Sequence, residues 1–277
     1  MSYKNSSNPA LDLELLFLTN VLKLTSLHYG YWNENDDLTV KNFRVAQQRY
    51  TDTLIDLIPD GVNTILDVGC GIGDVSEAMA EQGHQVTALS PDENHRQYFE
   101  EHRNGQVAFH NSKFENFNTS MKFDMVLMSE SQNYFDMDMG FQQTINHLHR
   151  GGYLLVSGTF KKAVSDVFKR VVSIEDKYLE RAKSYGLELL KVEDITKYVM
   201  PQTLFERNLL EGHIMPLIDI FKRSTGKSLS FRFKLLKIFN RKILNFLTEV
   251  YEDRVQRADP ALVKQHLKYM RFLFAYR

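Results

Sequence analysis

The sequence lacks a second cysteine, an excess of charge of either sign and a long apolar run. One cysteine, Cys70, stands among 277 residues, which excludes both an intrachain disulfide and a multi-cysteine zinc site. We therefore expect a reducing, cytoplasmic setting. The most apolar early stretch, residues 11–27, is interrupted by charged side chains and lacks the apolar core of a signal peptide or a membrane span. It is predicted to be an amphipathic helix.

The small net charge hides an asymmetry along the chain. Basic residues number 34 and acidic residues 35, which gives a net charge of -1. Residues 203–277 hold 7 Lys and 8 Arg against 7 acidic residues, a net charge of +8, which leaves -9 in residues 1–202. The acidic bulk of the chain shows no recognition module, so no nucleic-acid partner is expected. An anionic small molecule stays open as a partner.

What the sequence does contain is an alternation of short apolar runs and helical patterns from about residue 62. Its 43% apolar and 25% charged residues are ordinary for a globular protein, and the alternation is typical of βαβ units in a mostly parallel sheet. Predicted strands span 63–68, 85–89, 107–110, 124–129, 153–158 and 187–192, and predicted helices span 40–57, 74–82, 93–102, 140–149 and 173–185. Residues 197–268 are predicted to be helical. The aromatic run 269–276 is predicted to be an edge strand, which would make 197–268 an insertion within one sheet.

The first predicted strand ends in Asp67 and continues into glycines at alternate positions, 69, 71 and 73. Glycines between a strand and a helix let backbone N–H groups approach a ligand closely, since no Cβ stands in the way. A nicotinamide-binding fingerprint requires its third glycine three residues after the second. Asp74 stands at that position, so this fingerprint fails. A tight turn that binds no ligand is the alternative.

The string ILDVGCGIG, residues 65–73, is similar to motif I of the class I S-adenosylmethionine (SAM)-dependent methyltransferases. Residues 123–126 and 148–155 resemble the segments that lead into the fourth and fifth strands of that family. The resemblance implies an α/β fold, namely a doubly wound, mostly parallel seven-stranded sheet with an antiparallel last strand, plus a helical cap. It also implies SAM as cofactor and S-adenosylhomocysteine as product, without a metal ion.

The same resemblance implies several cofactor-binding residues. Asp67 would lie near the amino-acid end of SAM, and Gly69 and Gly71 would let the chain pass close to it. Ser90 ends the second strand, where the family has an acidic residue that holds the ribose hydroxyls. A serine hydroxyl can still form a hydrogen bond there, but it cannot chelate the ribose as a carboxylate does.

The loops after the third and fourth strands complete the implied site. Phe114 lies in the loop with which the family binds adenine, and Ser129 and Glu130 end the fourth strand, where they would face the methyl group and the acceptor. Methyl transfer from a sulfonium is an in-line displacement, so the enzyme mainly aligns donor and nucleophile. It needs a base only if the nucleophile must lose a proton. Glu130 is one candidate for that base.

Upstream, residues 27–32 resemble the segment that precedes the core of small-molecule and lipid methyltransferases related to the ubiquinone, sarcosine and tocopherol enzymes. In that subgroup the segment closes over SAM, so Tyr29 is a candidate contact of the SAM carboxylate. His28 is the second candidate base. Packing of an N-terminal helix hairpin is the alternative for Tyr29 and is favoured for Trp32. Cys70 is interpreted as a small filler of the loop, since nothing nearby in sequence activates its thiol.

Residues 222–242 hold eight basic side chains and no acidic one, interleaved with aromatic and aliphatic residues. One interpretation is a cap helix whose charges offset the acidic sheet domain. The other is docking of an anionic lipid headgroup or a phosphorylated acceptor, with peripheral membrane contact. The predicted organisation is an N-terminal helical cap segment (1–60), a SAM-binding core (61–196 and 269–277) and a helical substrate cap (197–268).

Two functions from different classes follow from the sequence. The first is a biosynthetic methyltransferase that acts on an O, N or C atom of a small or lipid-like metabolite. The second is a protein that binds SAM or its product without chemistry, as a regulatory or partner subunit. Two departures from the family pattern motivate this second hypothesis: Ser90 replaces the acidic residue, and the loop around Lys113 lacks the Asp that the family often has there.

Overall fold

The computed structural model describes residue 12, residues 15–224 and residues 258–277, without the side chains of 218 and 221–224. The chain divides into two compact units, Met1–Val199 with His266–Arg277 and Met200–Gln265. The sheet and every candidate site residue belong to the first unit. The division into three segments that the sequence suggests stays a prediction.

Seven strands form one sheet in the order β3-β2-β1-β4-β5-β7-β6. They are β1 (Thr64–Val68), β2 (Gln85–Leu89), β3 (Ala108–His110), β4 (Phe123–Ser129), β5 (Leu148–Lys161), β6 (Leu187–Asp194) and β7 (Leu267–Tyr276). The first five strands pair in parallel, and β7 is antiparallel to both β5 and β6. The predicted doubly wound sheet with an antiparallel last strand is confirmed.

Helices connect the strands and continue beyond β6. They are α1 (Val40–Ile55), α2 (Asp74–Glu81), α3 (Glu93–His102), α4 (Met137–His147), α5 (Glu175–Ser184), α6 (Thr196–Leu209), α7 (Met215–Ser224) and α8 (Pro260–His266). Side chains cap the first turns: Thr39 accepts from the N–H of Asn42 ahead of α1, and Asp92 accepts from two N–H groups ahead of α3. None of the helices in the described ranges has the length and hydropathy that a membrane span requires.

The strand alternation distributes apolar side chains to two hydrophobic clusters, one on each face of the sheet. Ile65 belongs to the cluster that contains Tyr50 of α1 and Met79 of α2, whereas Leu66 belongs to the cluster that contains Phe141 of α4. Each large apolar side chain removed from water contributes roughly 1.5–3 kcal/mol. Because side chains alternate along a strand, Asp67 shares the α1 face with Ile65.

The N-terminal helix ends earlier than the sequence pattern predicts. Helical residues run from 15 to the π-helical turn Phe17–Val21, and the chain leaves the helix at Leu22. Lys23 has a φ of 55°, the left-handed conformation that ends helices and that glycine usually supplies. A lysine gives no such signal in the sequence, so the prediction of a helix up to residue 27 was wrong beyond Val21.

Strand β5 is longer than the predicted 153–158. Leu148 already pairs with Phe123, and the register shifts before Met125 pairs with Tyr153. Gly151, with a φ of 83°, lies within the strand rather than in a turn before it. In the predicted helical insertion, α6, α7 and α8 are helical as expected. Residues 225–257, with most of the basic run 222–242, lie outside the described residues.

Candidate functional site

The loop between β1 and α2 adopts a conformation that requires glycine. Gly69, Gly71 and Gly73 have φ values of 77°, 57° and 81°, a region that other residues rarely enter. A Cβ on Gly69 would lie 2.5 Å from the Cβ of Ser131, and one on Gly73 would collide with the ring of Phe99. The loop therefore runs close to its neighbours and presents bare backbone at the carboxyl edge of the sheet.

Asp67, the last residue but one of β1, carries a buried carboxyl group. It is 1% exposed and accepts a hydrogen bond of 2.5 Å from the Ser76 hydroxyl. Burial raises the pKa of Asp67 to about 7, against the opposing effect of the Ser76 hydrogen bond. Burial also raises the pKa of the neighbouring Cys70 thiol, which agrees with a filler role and not with a nucleophile.

His28 faces hydrogen-bond acceptors at both ring nitrogens. Nδ1 lies 2.7 Å from the carbonyl oxygen of Tyr29, and Nε2 lies 2.7 Å from the carboxylate of Asp74, the first residue of α2. Both nitrogens must therefore carry a proton, and the ring is an imidazolium. Burial alone would lower the pKa of His28, but the charge and hydrogen bond of Asp74 outweigh it and raise this pKa. This arrangement argues against His28 as a general base.

Glu130 follows β4 in a backbone conformation that is unfavourable for its residue type. Its φ is 61°, which costs a non-glycine residue roughly 1–2 kcal/mol. Its N–H donates to the carbonyl of Ser157, and its Oε1 accepts from the Tyr29 N–H at 2.8 Å and from the Tyr269 hydroxyl at 2.5 Å. These contacts stabilise the strained conformation and hold the carboxylate beside residues 28–29.

A row of polar residues crosses the sheet next to Glu130. Ser129 of β4 is in register with Ser157 of β5, and Ser157 is in register with Arg271 of β7. Tyr50 of α1 lies over this row, with its hydroxyl 3.0 Å from Ser129 Oγ and 2.8 Å from Ser157 Oγ. The same hydroxyl is 3.0 Å from that of Tyr269. Polar side chains thus replace apolar ones on this part of the sheet face.

Ser90 and Phe114 have local partners in the structure. Ser90 is buried after β2, with its Oγ 3.2 Å from His95 Nδ1 and 3.4 Å from the Asp92 nitrogen. Phe114 is buried in a hydrophobic cluster, where its ring lies 5.5 Å from that of Phe135. Stacking of Phe114 on adenine is not favoured by this position, because the ring is already packed.

The residues of the upstream segment have separate environments. Tyr29 is half-buried, and its ring lies 5.7 Å from that of Tyr269 in an edge-on arrangement. Trp32 is 1% exposed and stacks on Phe43 of α1 at 5.8 Å, which agrees with a core role. Gly30 permits a close approach to α1, because a Cβ there would lie 2.7 Å from the Cβ of Ala46.

The structure brings part of the predicted set together. Three predicted residues, His28, Tyr29 and Glu130, meet at the carboxyl edge of the sheet beside the start of α2. Ligands of doubly wound sheets bind at this edge. In residues 15–224 and 258–277, no cluster of three His, Cys, Asp or Glu side chains could hold a metal ion.

Four residues of the site, Tyr50, Asp74, Tyr269 and Arg271, were not predicted from the sequence. Asp74 was noted only as the residue that breaks a nicotinamide fingerprint. Tyr269 and Arg271 were counted as part of an aromatic edge strand. A signal existed, because a basic residue two positions after a tyrosine in an otherwise apolar strand places both on one face. Tyr50 shows no pattern that distinguishes it from a core aromatic residue.

Residues 65–152 match the family model of a methyltransferase domain. This segment therefore has the sequence pattern of a methyltransferase domain. The match begins in β1, includes the whole glycine loop and ends at Gly152 in β5. Together with the sheet order, it confirms the predicted methyltransferase class. No curated protein matches the sequence.

Solved structures share the fold of the methyltransferase domain and the rest of the chain. The [4+2]-cyclase SpnF has a TM-score of 0.68 and 17% identity, and the alignment covers 99% of this chain and 98% of that chain. A geranyl diphosphate C-methyltransferase from Streptomyces coelicolor A3(2), determined with Mg2+, geranyl diphosphate and S-adenosyl-L-homocysteine, has a TM-score of 0.64 and 13% identity, covering 99% and 100%. A putative sarcosine dimethylglycine methyltransferase from Galdieria sulphuraria has a TM-score of 0.63 and 14% identity, covering 96% and 98%. Identities this low establish a common fold only.

Proposed function

We propose that the protein transfers the methyl group of SAM to an O, N or C atom of a small or lipid-like metabolite. The observation that carries this proposal is the left-handed glycine loop at the end of β1, within a segment that matches a methyltransferase domain. Asp67 and Glu130 flank the same edge of the sheet, where β1 and β4 end. Because β1 and β4 are neighbours, Asp67 would meet a cationic part of the ligand next to the carboxylate of Glu130, which would remove a proton.

The residues at this edge fit SAM by their chemistry. At Gly71 a Cβ would have only Leu27 near it, at 3.7 Å, so a ligand can approach the backbone there, and the carboxylate of Asp67 matches the ammonium group of the amino-acid end. The Ser90 hydroxyl would donate a hydrogen bond to the ribose of SAM, and this bond would replace its present hydrogen bond to His95. When bound, SAM supplies an electrophilic methyl group on a sulfonium.

Glu130 is the base that the geometry favours. Glu130 is half-buried, its carboxylate accepts from an N–H and a hydroxyl, and its own backbone is strained just after β4. His28 would instead hold the upstream segment against α2 as an imidazolium paired with Asp74. Its proton is committed to a carboxylate, so it is a positioning residue. Ser129 would line the acceptor side of the same site, and Tyr29 would contact the carboxylate of SAM.

We infer an acceptor with apolar bulk. Related folds support this inference, because solved geranyl diphosphate methyltransferases bind a prenyl chain with an anionic diphosphate. The basic run 222–242 offers charge for an anionic headgroup or an anionic membrane surface, and its residues from 225 onward lie outside the described part of the chain. The single, unpaired Cys70 supports a reducing cytoplasmic location.

A second candidate is an enzyme or binding protein of the same fold that transfers no methyl group. The [4+2]-cyclase SpnF favours keeping it, since its identity to this chain is as high as that of the methyltransferases. Purified protein incubated with methyl-labelled SAM and either geranyl diphosphate or a cell metabolite extract separates the two. We expect a labelled product, separated from SAM by chromatography, that disappears in Glu130→Gln. Binding of S-adenosylhomocysteine without any labelled product in either mixture would favour the second candidate.

A further inference from the structure

The hydroxyl of Tyr269 has a single proton, and the acceptor of that proton can be identified. Glu130 Oε1 lies 2.5 Å from the Tyr269 oxygen and also accepts from the backbone N–H of Tyr29 at 2.8 Å. An oxygen that already accepts from an amide is the ionised or carbonyl oxygen of a carboxyl group, so it accepts from Tyr269 as well. The Tyr269 proton is therefore committed to Glu130.

That assignment fixes the direction of the neighbouring hydrogen bonds. Tyr50 lies 3.0 Å from the Tyr269 oxygen, which has no further proton to give, so Tyr50 must donate to Tyr269. The Tyr50 oxygen then can only accept from its other two neighbours. Ser157, at 2.8 Å, and Ser129, at 3.0 Å, are accordingly the donors.

The chain of hydrogen bonds begins at a buried cation. Arg271 is 1% exposed and donates from Nε to Ser157 Oγ at 3.4 Å, and from its terminal nitrogens to Thr53 Oγ1 and the Tyr50 carbonyl at 3.1 Å each. These acceptors are all uncharged. The guanidinium also lies 4.9 Å from the centre of the Tyr50 ring. A guanidinium can only donate, so every bond in the chain is oriented from Arg271 towards Glu130.

We propose that Tyr269 is a positioning residue for Glu130. It closes this one-way chain, which runs from Arg271 through Ser157 and Tyr50, and so keeps the Glu130 carboxylate ionised and fixed beside the glycine loop. The proposal deepens the proposed function and rests on it, because it assumes that Glu130 faces the acceptor. It adds β7 to a site that is otherwise formed by the ends of β1 and β4 and by residues 28–29.

Among the described residues, two cations contact Tyr50, which is linked to Glu130 through Tyr269. His28 is an imidazolium whose charge is matched by Asp74, and its ring stacks on Tyr50 at 4.5 Å. Arg271 is the second cation, 4.9 Å from the centre of the same ring. Removing the Tyr269 hydroxyl takes away a hydrogen bond to the ionised form of Glu130 without removing either cation. The effect should therefore appear as a rise in the pKa of Glu130.

The test measures that ionisation directly and needs no acceptor. Protein labelled with 13C at the glutamate side-chain carboxyl is titrated by NMR, and Glu130→Gln identifies the Glu130 signal. We expect Tyr269→Phe to raise the Glu130 midpoint by about one pH unit, the scale of one hydrogen bond to a charged group. Tyr178→Phe is the matched control: Tyr178 is equally buried but packs on Phe141 and Phe160 in the other cluster, so the midpoint should not move.

Ser157→Ala breaks the chain two bonds away from Glu130 and is expected to shift the midpoint in the same direction by less. If Tyr269→Phe does not fold, Ser157→Ala replaces it in the test: a raised Glu130 midpoint supports the proposal, and an unchanged midpoint overturns it. An unchanged midpoint in folded Tyr269→Phe overturns the proposal. A shift in Tyr269→Phe with none in Ser157→Ala overturns the chain from Arg271.

A kinetic arm separates this proposal from the proposed function. If the wild-type protein methylates an acceptor, Tyr269→Phe should move the acidic limb of the kcat profile to higher pH and leave the KM for SAM unchanged. A lower kcat with an unmoved limb would contradict the positioning role. Absence of methyl transfer by wild-type protein would instead refute the proposed function, and the NMR titration would still decide on Tyr269.

Discussion

His28 and Asp74 form a buried ion pair, 2.7 Å long, between the segment ahead of α1 and the first turn of α2. The pair joins the predicted cofactor-closing segment to the helix that follows the glycine loop. Arg103 reinforces the connection, because it donates to the carbonyl oxygens of Ile72 and Thr25. The upstream segment is therefore fixed to the loop by directional polar contacts as well as by packing.

The His28–Asp74 pair should contribute more to the free energy of unfolding than an exposed ion pair does. His28→Gln or Asp74→Asn leaves one buried charge without its partner, and each is expected to lower the free energy of unfolding by about 3–5 kcal/mol. The double variant should lose less than the sum of the two, with a coupling of roughly 1–3 kcal/mol in urea unfolding. Asp138→Asn, which breaks an exposed pair with Arg181, is the control and should have a much smaller effect. Strict additivity of the His28 and Asp74 variants would contradict the pairing.

The contribution of the pair should depend on pH in a defined direction. The pKa of His28 is raised in the fold, so its stabilisation is complete below 6.5 and is lost as pH rises through the folded value. Burial alone would raise the pKa of Asp74, but the charge and hydrogen bond of His28 outweigh it and lower this pKa. The stabilisation that ionised Asp74 contributes is therefore lost as pH falls below 3.8. The difference in unfolding free energy between wild type and His28→Gln should shrink between about pH 6 and pH 9. A difference that grows over this range would be inconsistent with an imidazolium.

Asp67→Asn should stabilise the protein and weaken cofactor binding. Burial raises the pKa of Asp67 from 3.8 to about 7, so the wild type loses stability as pH rises across that interval. At about pH 8 the variant should unfold at a higher urea concentration, by a free energy on the order of 2–4 kcal/mol, and at about pH 4 it should equal the wild type. Its affinity for S-adenosylhomocysteine should fall. The wild-type affinity should rise as Asp67 ionises near neutral pH, and this rise should be absent in the variant. A destabilised variant at alkaline pH would show that Asp67 is a structural anion.

Gly73→Ala should damage the loop more than a comparable glycine replacement elsewhere. Its φ of 81° is unfavourable for alanine, and the added Cβ would collide with the Phe99 ring. We expect a loss of about 2–4 kcal/mol in unfolding free energy, since strain and overpacking add. Gly83→Ala is the matched control: its φ is 97°, but no atom lies within 4 Å of the added Cβ, so only the backbone strain should remain. Equal losses in the two variants would contradict close packing of the loop.

Most of the sheet could be predicted from the sequence, because apolar runs, glycine turns and helical periodicity are local signals. Strands β1 to β4 begin and end within about two residues of prediction. The errors fall where a tertiary contact overrides the local signal. Lys23 supplies a left-handed helix end without being glycine, and Gly151 lies inside β5 because Leu148 already pairs with β4.

The site was predicted only in part, for a related reason. His28, Asp67 and Glu130 stand in short motifs, so a sequence can reveal them. Tyr269 and Arg271 acquire their meaning from β7 being inserted beside β5, which brings them next to residues more than a hundred positions away. The direction of the hydrogen bonds among them exists only in three dimensions, and no spacing in the sequence encodes it.

We propose that the glycine loop and Asp67 form the SAM site of a methyltransferase. Calorimetric titration of the full chain with S-adenosylhomocysteine tests it most directly, with Gly73→Ala and Gly83→Ala measured beside the wild type. We predict one site per chain with a dissociation constant in the micromolar range, strongly weakened in Gly73→Ala and nearly unchanged in Gly83→Ala. No heat of binding to folded wild-type protein at millimolar ligand would contradict the account.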